Sequence, residues 1–253
     1  MTRQTCLILP TLILAGLAPS AWAVCSIADM KGDFATQPVG FVTGGPFAGQ
    51  FAATGVIHFD GAGKFTGVTS SSFNGALLYP FAAVGTYAVT SDCAVTVLET
   101  TLGISFEGYI SATKNEVVLV EPDPGTITIN LLRRIQIPSG CSNANLNGNW
   151  TFQAAGINIV TGERISQNGR IKLDGKGNFS GVTAFSNEGD FRRSTIAGTV
   201  QVAADCTFLL KYTDQAGITT PLFGTFFGSG AQFILIYSKE GVVIIGNGRQ
   251  AVN

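Results

Sequence analysis

His58, the only histidine among the 253 residues, is the first candidate for proton transfer, because an imidazole changes charge near neutral pH. It lies on the side of an alternating segment opposite Ile57 and Phe59, the place of an exposed strand residue. Glu99, Glu107 and Glu121 are the carboxylates on offer for glycoside hydrolysis, which requires two of them across one cleft. Tyr87 or Glu107 beside an apolar pocket would instead suit an isomerase or cyclase. A zinc site needs several histidines or free thiolates, so no metal site is expected, and no cofactor either. Asp60-Gly61-Ala62-Gly63 and Asp174-Gly175-Lys176-Gly177 each bring one carboxylate, too few for a calcium loop, and no helix follows to cradle a phosphate. They read as hairpin turns, whose positive backbone angles glycine adopts without strain.

The elements that must hold these side chains come in two copies. Residues 25–34 match residues 141–150 at their Cys, Ser, Ala, Gly and aromatic positions, and 55–69 match 169–183. Gly85, Cys93, Gly108, Gly125 and Arg133 then find Gly198, Cys206, Gly224, Gly241 and Arg249. The repeat filters the chemistry. His58 meets Lys172, Glu107 meets Phe223 and Glu121 meets Tyr237, so a site shared by both copies cannot use them.

Within the first copy, apolar alternation of period two runs through residues 51–59, 64–73, 81–89 and 93–98. Further strands are expected at 104–111, 116–121 and 126–133 and near Phe34, which makes eight, and no segment shows a helical period. Eight antiparallel strands in chain order close most simply into an up-and-down barrel; a sandwich and one sixteen-stranded membrane barrel are the alternatives. The expected fold class is all-β, two tandem antiparallel barrels over residues 24–137 and 138–253. Alternation places Ile57, Phe59, Phe65, Tyr87, Val89, Val95 and Phe106 inside the first, and Ile171, Leu173, Phe179, Val200, Val202, Phe208 and Leu222 inside the second. Candidates to line a ligand cavity are Phe65, Thr69, Tyr87 and Phe106, with Phe179, Thr183 and Phe208 in the second copy; plain core packing is the first explanation of the aromatics. Residues 117–120, 233–236 and 242–245 are apolar on both faces, which implies cover outside the barrels, and the barrels are expected to pack there.

Arg3, the apolar run 7–17 and Ala21-Trp22-Ala23 have the zones of a secretory signal, with cleavage expected after Ala23. The run is short for a membrane span, and Val24 ahead of Cys25 disfavours lipid attachment. The protein is therefore expected in the periplasm or outside the cell, without a transmembrane span once the signal is removed. Losing Arg3 leaves 14 of the 15 basic residues against 16 acidic ones, which is no footprint for nucleic acid. Four cysteines remain, and in an oxidising compartment they read as disulfides. Equivalent folds should pair equivalently, which predicts Cys25 with Cys93 and Cys141 with Cys206.

Gly148-Asn149-Trp150 at the first strand and Arg249 at the last resemble the signature of the calycins, the group that includes lipocalins. The first copy has Gly32-Asp33-Phe34 and Arg133 at the same places. The resemblance implies an eight-stranded cup for a small apolar ligand, closed by an arginine packed over the aromatic, and no catalytic residues. The function expected is binding of a small apolar ligand without catalysis. The alternatives are a structural or surface-interaction protein that self-associates through apolar strands, and a barrel-cavity isomerase or cyclase.

Overall fold

The computed structural model describes residues 24–44, 48–136 and 140–251, so the expected signal peptide lies outside the described residues. Alternation becomes strands as expected: β1 (Gly32–Val42), β2 (Gly49–Phe59), β3 (Lys64–Phe73), β4 (Ala76–Val89), β5 (Ala94–Glu99), β6 (Ile104–Ile110), β7 (Glu116–Val120) and β8 (Thr126–Arg134). The second copy supplies β9 (Gly148–Asn158), β10 (Arg164–Leu173), β11 (Asn178–Asn187), β12 (Asp190–Val202), β13 (Thr207–Thr213), β14 (Thr219–Phe227), β15 (Gln232–Tyr237) and β16 (Val242–Gln250). β4 starts earlier than the alternation indicates. A register shift between Thr69 and Ser71 breaks the pattern, while Ala76–Leu78 still pairs back across the Asn74-Gly75 turn.

Each copy closes on itself. β1 pairs with β2 on one side and β8 on the other, β9 pairs likewise with β10 and β16, and every neighbour is antiparallel. The result is two closed eight-stranded barrels rather than a sandwich or one sixteen-stranded barrel. All fourteen interior positions read from the alternation lie in or against the core of their barrel; Val89, Phe106 and Val202 are its partly buried members. The turn aspartates act locally. Asp60 Oδ1 accepts the N–H groups of Ala62 and Lys64 at 2.7 and 3.0 Å, and Asp174 Oδ1 those of Lys176 and Asn178 at 2.7 and 2.9 Å. These bonds, with the Asn178 side chain, hold the Asp174 carboxyl down at about 2.

One end of each barrel is plugged by a 3₁₀ turn, Ile27–Met30 or Asn143–Leu146. Its shape follows from a repeated local pattern: Asp29 Oδ2 accepts the Ser26 N–H at 2.8 Å, and Asn145 Oδ1 accepts the Ser142 N–H at 2.7 Å. Met30 and Leu146 enter the cores, and Gly32 and Gly148, at φ of +121° and +131°, turn the chain into the first strand. Disulfides Cys25–Cys93 and Cys141–Cys206 tie each plug to the hairpin before β5 or β13.

The barrels pack by their outer faces. Phe223, Phe227, Ile234, Ile236 and Val243 of β14–β16 lie with Ala35 and Ala52 of β1–β2. A parallel bridge between Ile135 and Gly228, and a bond from Ser72 Oγ to the Val242 carbonyl at 3.0 Å, add to the contact. Cover was therefore correctly expected for residues 233–236 and 242–245. It was not for 117–120: Val118 and Val120 are 52% and 50% exposed, because barrel two meets barrel one on β1–β2 instead.

Candidate functional site

Barrel one encloses an almost wholly apolar cavity of about 100 Å³. Phe59 and Phe65, from the hairpin beside the plug, form its floor. Phe73, Leu102 and Glu99 stand at the opposite end, where β3 and β5 finish. The walls between mix large apolar side chains, such as Phe81, Phe106, Leu119 and Leu132, with small ones, among them Thr36, Ala53, Thr69 and Ala83. Three polar side chains of the wall are partnered. Thr36 Oγ1 donates to Asn130 Oδ1 at 2.9 Å, and the Glu99 carboxylate accepts the N–H groups of Thr101 and Leu102 at 2.8 and 2.7 Å.

Barrel two has the same backbone and almost no cavity, about 30 Å³. Strand register shows where the two interiors differ. Gly55 pairs with Thr36 and Gly169 with Phe152; Gly67 pairs with Ala83 and Gly181 with Ile196. Similarly Ser71 pairs with Ala53 where Phe185 pairs with Gln167, and Gly85 pairs with Glu99 where Gly198 pairs with Tyr212. At these five inward positions barrel two carries the larger side chain, whereas at Phe81, aligned with Ser194, and Leu132, aligned with Gly248, barrel one does. The remaining space holds a buried polar group: the Tyr237 hydroxyl donates to Gln167 Oε1, and Gln167 Nε2 donates to Thr183 Oγ1 at 2.9 Å. Burial pushes the Tyr237 hydroxyl pKa well above its ordinary value.

Of the residues expected to line a cavity, Phe65, Thr69 and Phe106 line that of barrel one. Tyr87 does not; its ring packs edge-on against Phe59, and its hydroxyl approaches the Ile27 carbonyl at 3.5 Å. Phe179 borders the small void of barrel two, Thr183 is tied into the Gln167 group, and Phe208 packs among Phe226 and Phe233. Residues that alternation did not single out, Ala53, Ala83 and Asn130, complete the wall. For the two alanines the signal was available as a size difference from the aligned Gln167 and Ile196.

The carboxylates do not form a pair across the cavity. Glu107 is exposed, Glu121 lies outside the lining with its pKa raised by burial, and Glu99 alone borders the space. His58 is exposed, with Nδ1 2.7 Å from Asp33 Oδ1.

The closing arginine needs correction. Arg134, not Arg133, lies over the Phe34 ring at 4.4 Å, and donates to the carbonyls of Asp29, Lys31 and Lys114. Phe34 pairs directly with Arg134 and so shares its face, whereas Arg133 points outward and stacks on Phe227 of barrel two at 4.8 Å. In barrel two Trp150 pairs with Gln250, which donates to the Asn147 carbonyl at 2.8 Å, while Arg249 is exposed. Trp150 instead secures its own position, donating Nε1–H to the Leu146 carbonyl at 2.9 Å. Arg134→Ala is expected to cost about 2–3 kcal/mol, because a charged donor serving three carbonyls is lost. Gln250→Ala should cost about 1 kcal/mol. Urea unfolding of the two variants checks the order.

No protein-family model matches the chain, and no curated protein matches its sequence. Among solved structures it is similar to a redesigned β-barrel, mFAP0, bound to DFHBI, at 18% identity over 42% of this chain and 99% of that one, TM-score 0.31. A DUF3598-family protein of unknown function from Nostoc punctiforme is 10% identical, covering 90% of this chain and 100% of that one, TM-score 0.27. Kievitone hydratase from Nectria haematococca is 9% identical, covering 92% and 95%, TM-score 0.28.

Proposed function

We propose that the chain is an exported binding module in which barrel one holds a small apolar molecule and barrel two is a filled support docked against it. The carrying observation is the difference between two copies of one fold. The inward side chains of the two copies differ in size at aligned positions, and an apolar space of about 100 Å³ remains in barrel one where barrel two has about 30 Å³. Such a space is smaller than drug-sized pockets, and nearer the engineered apolar cavity of about 150 Å³ that takes up benzene in another protein. The ligand class that fits is a molecule of about one aromatic ring, or a short branched alkyl chain. Export is supported by the leader-like residues 1–23 and by two disulfides, which persist in oxidising compartments.

The test grafts barrel two's side chains onto barrel one. Toluene and indole should raise the melting temperature of the native protein and perturb NMR signals of Ala53 and Ala83. The Ala53→Gln/Ala83→Ile variant should remain folded and lose both responses. If neither compound acts on the native protein, or the variant responds equally, the proposal fails.

A further inference from the structure

The two barrels meet through unlike faces. Barrel two offers the outside of β14–β16, with Phe223, Ile234, Ile236, Val243 and Ile245, to the outside of β1–β2. The repeat gives these five residues counterparts in barrel one: Glu107, Val118, Val120, Ile127 and Ile129. Register confirms the equivalence, since Val120 pairs with Ile129 as Ile236 pairs with Ile245, and Glu107 pairs with Val120 as Phe223 pairs with Ile236. In barrel two this face is buried. In barrel one Val118, Val120, Ile127 and Ile129 are 52%, 50%, 70% and 54% exposed, and Tyr109, paired with Val118, is 64% exposed. Five adjoining large apolar side chains on three neighbouring strands form a patch of the kind that marks an interaction site.

We infer that a second copy of this chain covers this face, β6–β8 against β6–β8 about a twofold axis. The existing interface identifies the occupant, because the equivalent strands of barrel two are already buried by another copy of the unit. Apolar content together with closure decides the mode. A head-to-tail contact would use the β9–β10 face, where barrel two carries Thr151, Ser166 and Arg170 in place of Ala35, Ala52 and Val56. Burying Arg170 there would desolvate a charge, as the twofold mode does with Glu107, but a head-to-tail contact would also repeat without closing. Apolar face against apolar face closes at two copies.

Sedimentation velocity across a dilution series tests this. The native protein should show a concentration-dependent dimer. Val118→Lys/Ile129→Lys should weaken the dimer by about a hundredfold or more, as loss of central apolar contacts does. Both sites are exposed in the single chain, so an unchanged melting temperature at low concentration will show that the fold survives. Glu107→Phe, which installs the residue that barrel two uses, should tighten the dimer about tenfold. A monomer at every concentration, a dimer indifferent to these substitutions, a ladder of oligomers growing with concentration, or a monomer that instead floats with phosphatidylcholine vesicles would each overturn the inference.

Discussion

Replacing Cys25 and Cys93 together by alanine is expected to destabilise barrel one by about 4 kcal/mol. The bond closes a loop with a sequence separation of 68, and the chain-entropy model assigns a loop of that size a stabilisation of this order. The native contacts add a reason to expect no less. The disulfide holds the 3₁₀ plug against the hairpin before β5, and the plug delivers the fully buried Met30 to the core. Once the tether is cut, opening the plug competes with a less restricted unfolded chain. The Cys141–Cys206 loop has a separation of 65, so its removal should cost nearly the same. Equal losses for the two double variants in urea unfolding are the expected outcome. A loss below about 1 kcal/mol in either would mean that the plug is held by its apolar contacts and, in barrel one, by Arg134 rather than by chain connectivity.

The strands, the disulfide pairing and the fourteen interior residues were legible because each rests on short-range periodicity or on a comparison between copies. What was missed needed pairing register. Arg133 and Arg134 are adjacent in sequence, and only the pairing of Phe34 with Arg134 says which of them shares the aromatic's face. The cavity depended on reading inward positions as a set: Thr36, Ala53, Ala83 and Glu99 are ordinary residues until aligned with Phe152, Gln167, Ile196 and Tyr212. The plugs were hidden for a different reason. Four-residue 3₁₀ turns are too short to show a helical period, although the shared spacing from Cys25 to Met30 and from Cys141 to Leu146 repeats with them. Doubly apolar strands identified which faces seek cover, but nothing local to β7 and β15 distinguishes the one that finds it within the chain.

Lysine at one aligned position should therefore have opposite consequences in the two copies. Ile236→Lys is expected to cost about 4 kcal/mol or more, whereas Val120→Lys should change the stability of the single chain by about 0.5 kcal/mol or less. Both side chains point outward from the central strand of an equivalent three-strand face. Ile236 is fully buried with Ala52, Phe223 and Val243, so an ammonium there must either lose its water or force the barrels apart. Parting them is the cheaper response, since each barrel closes its own hydrogen-bond ladder and keeps its own core. Urea unfolding of Ile236→Lys should accordingly resolve two transitions, one per barrel, with the disulfides intact. At low protein concentration Val120→Lys should unfold like the native chain. A similar cost at both positions would mean that stability is set inside each barrel, and that the contact between the barrels contributes little.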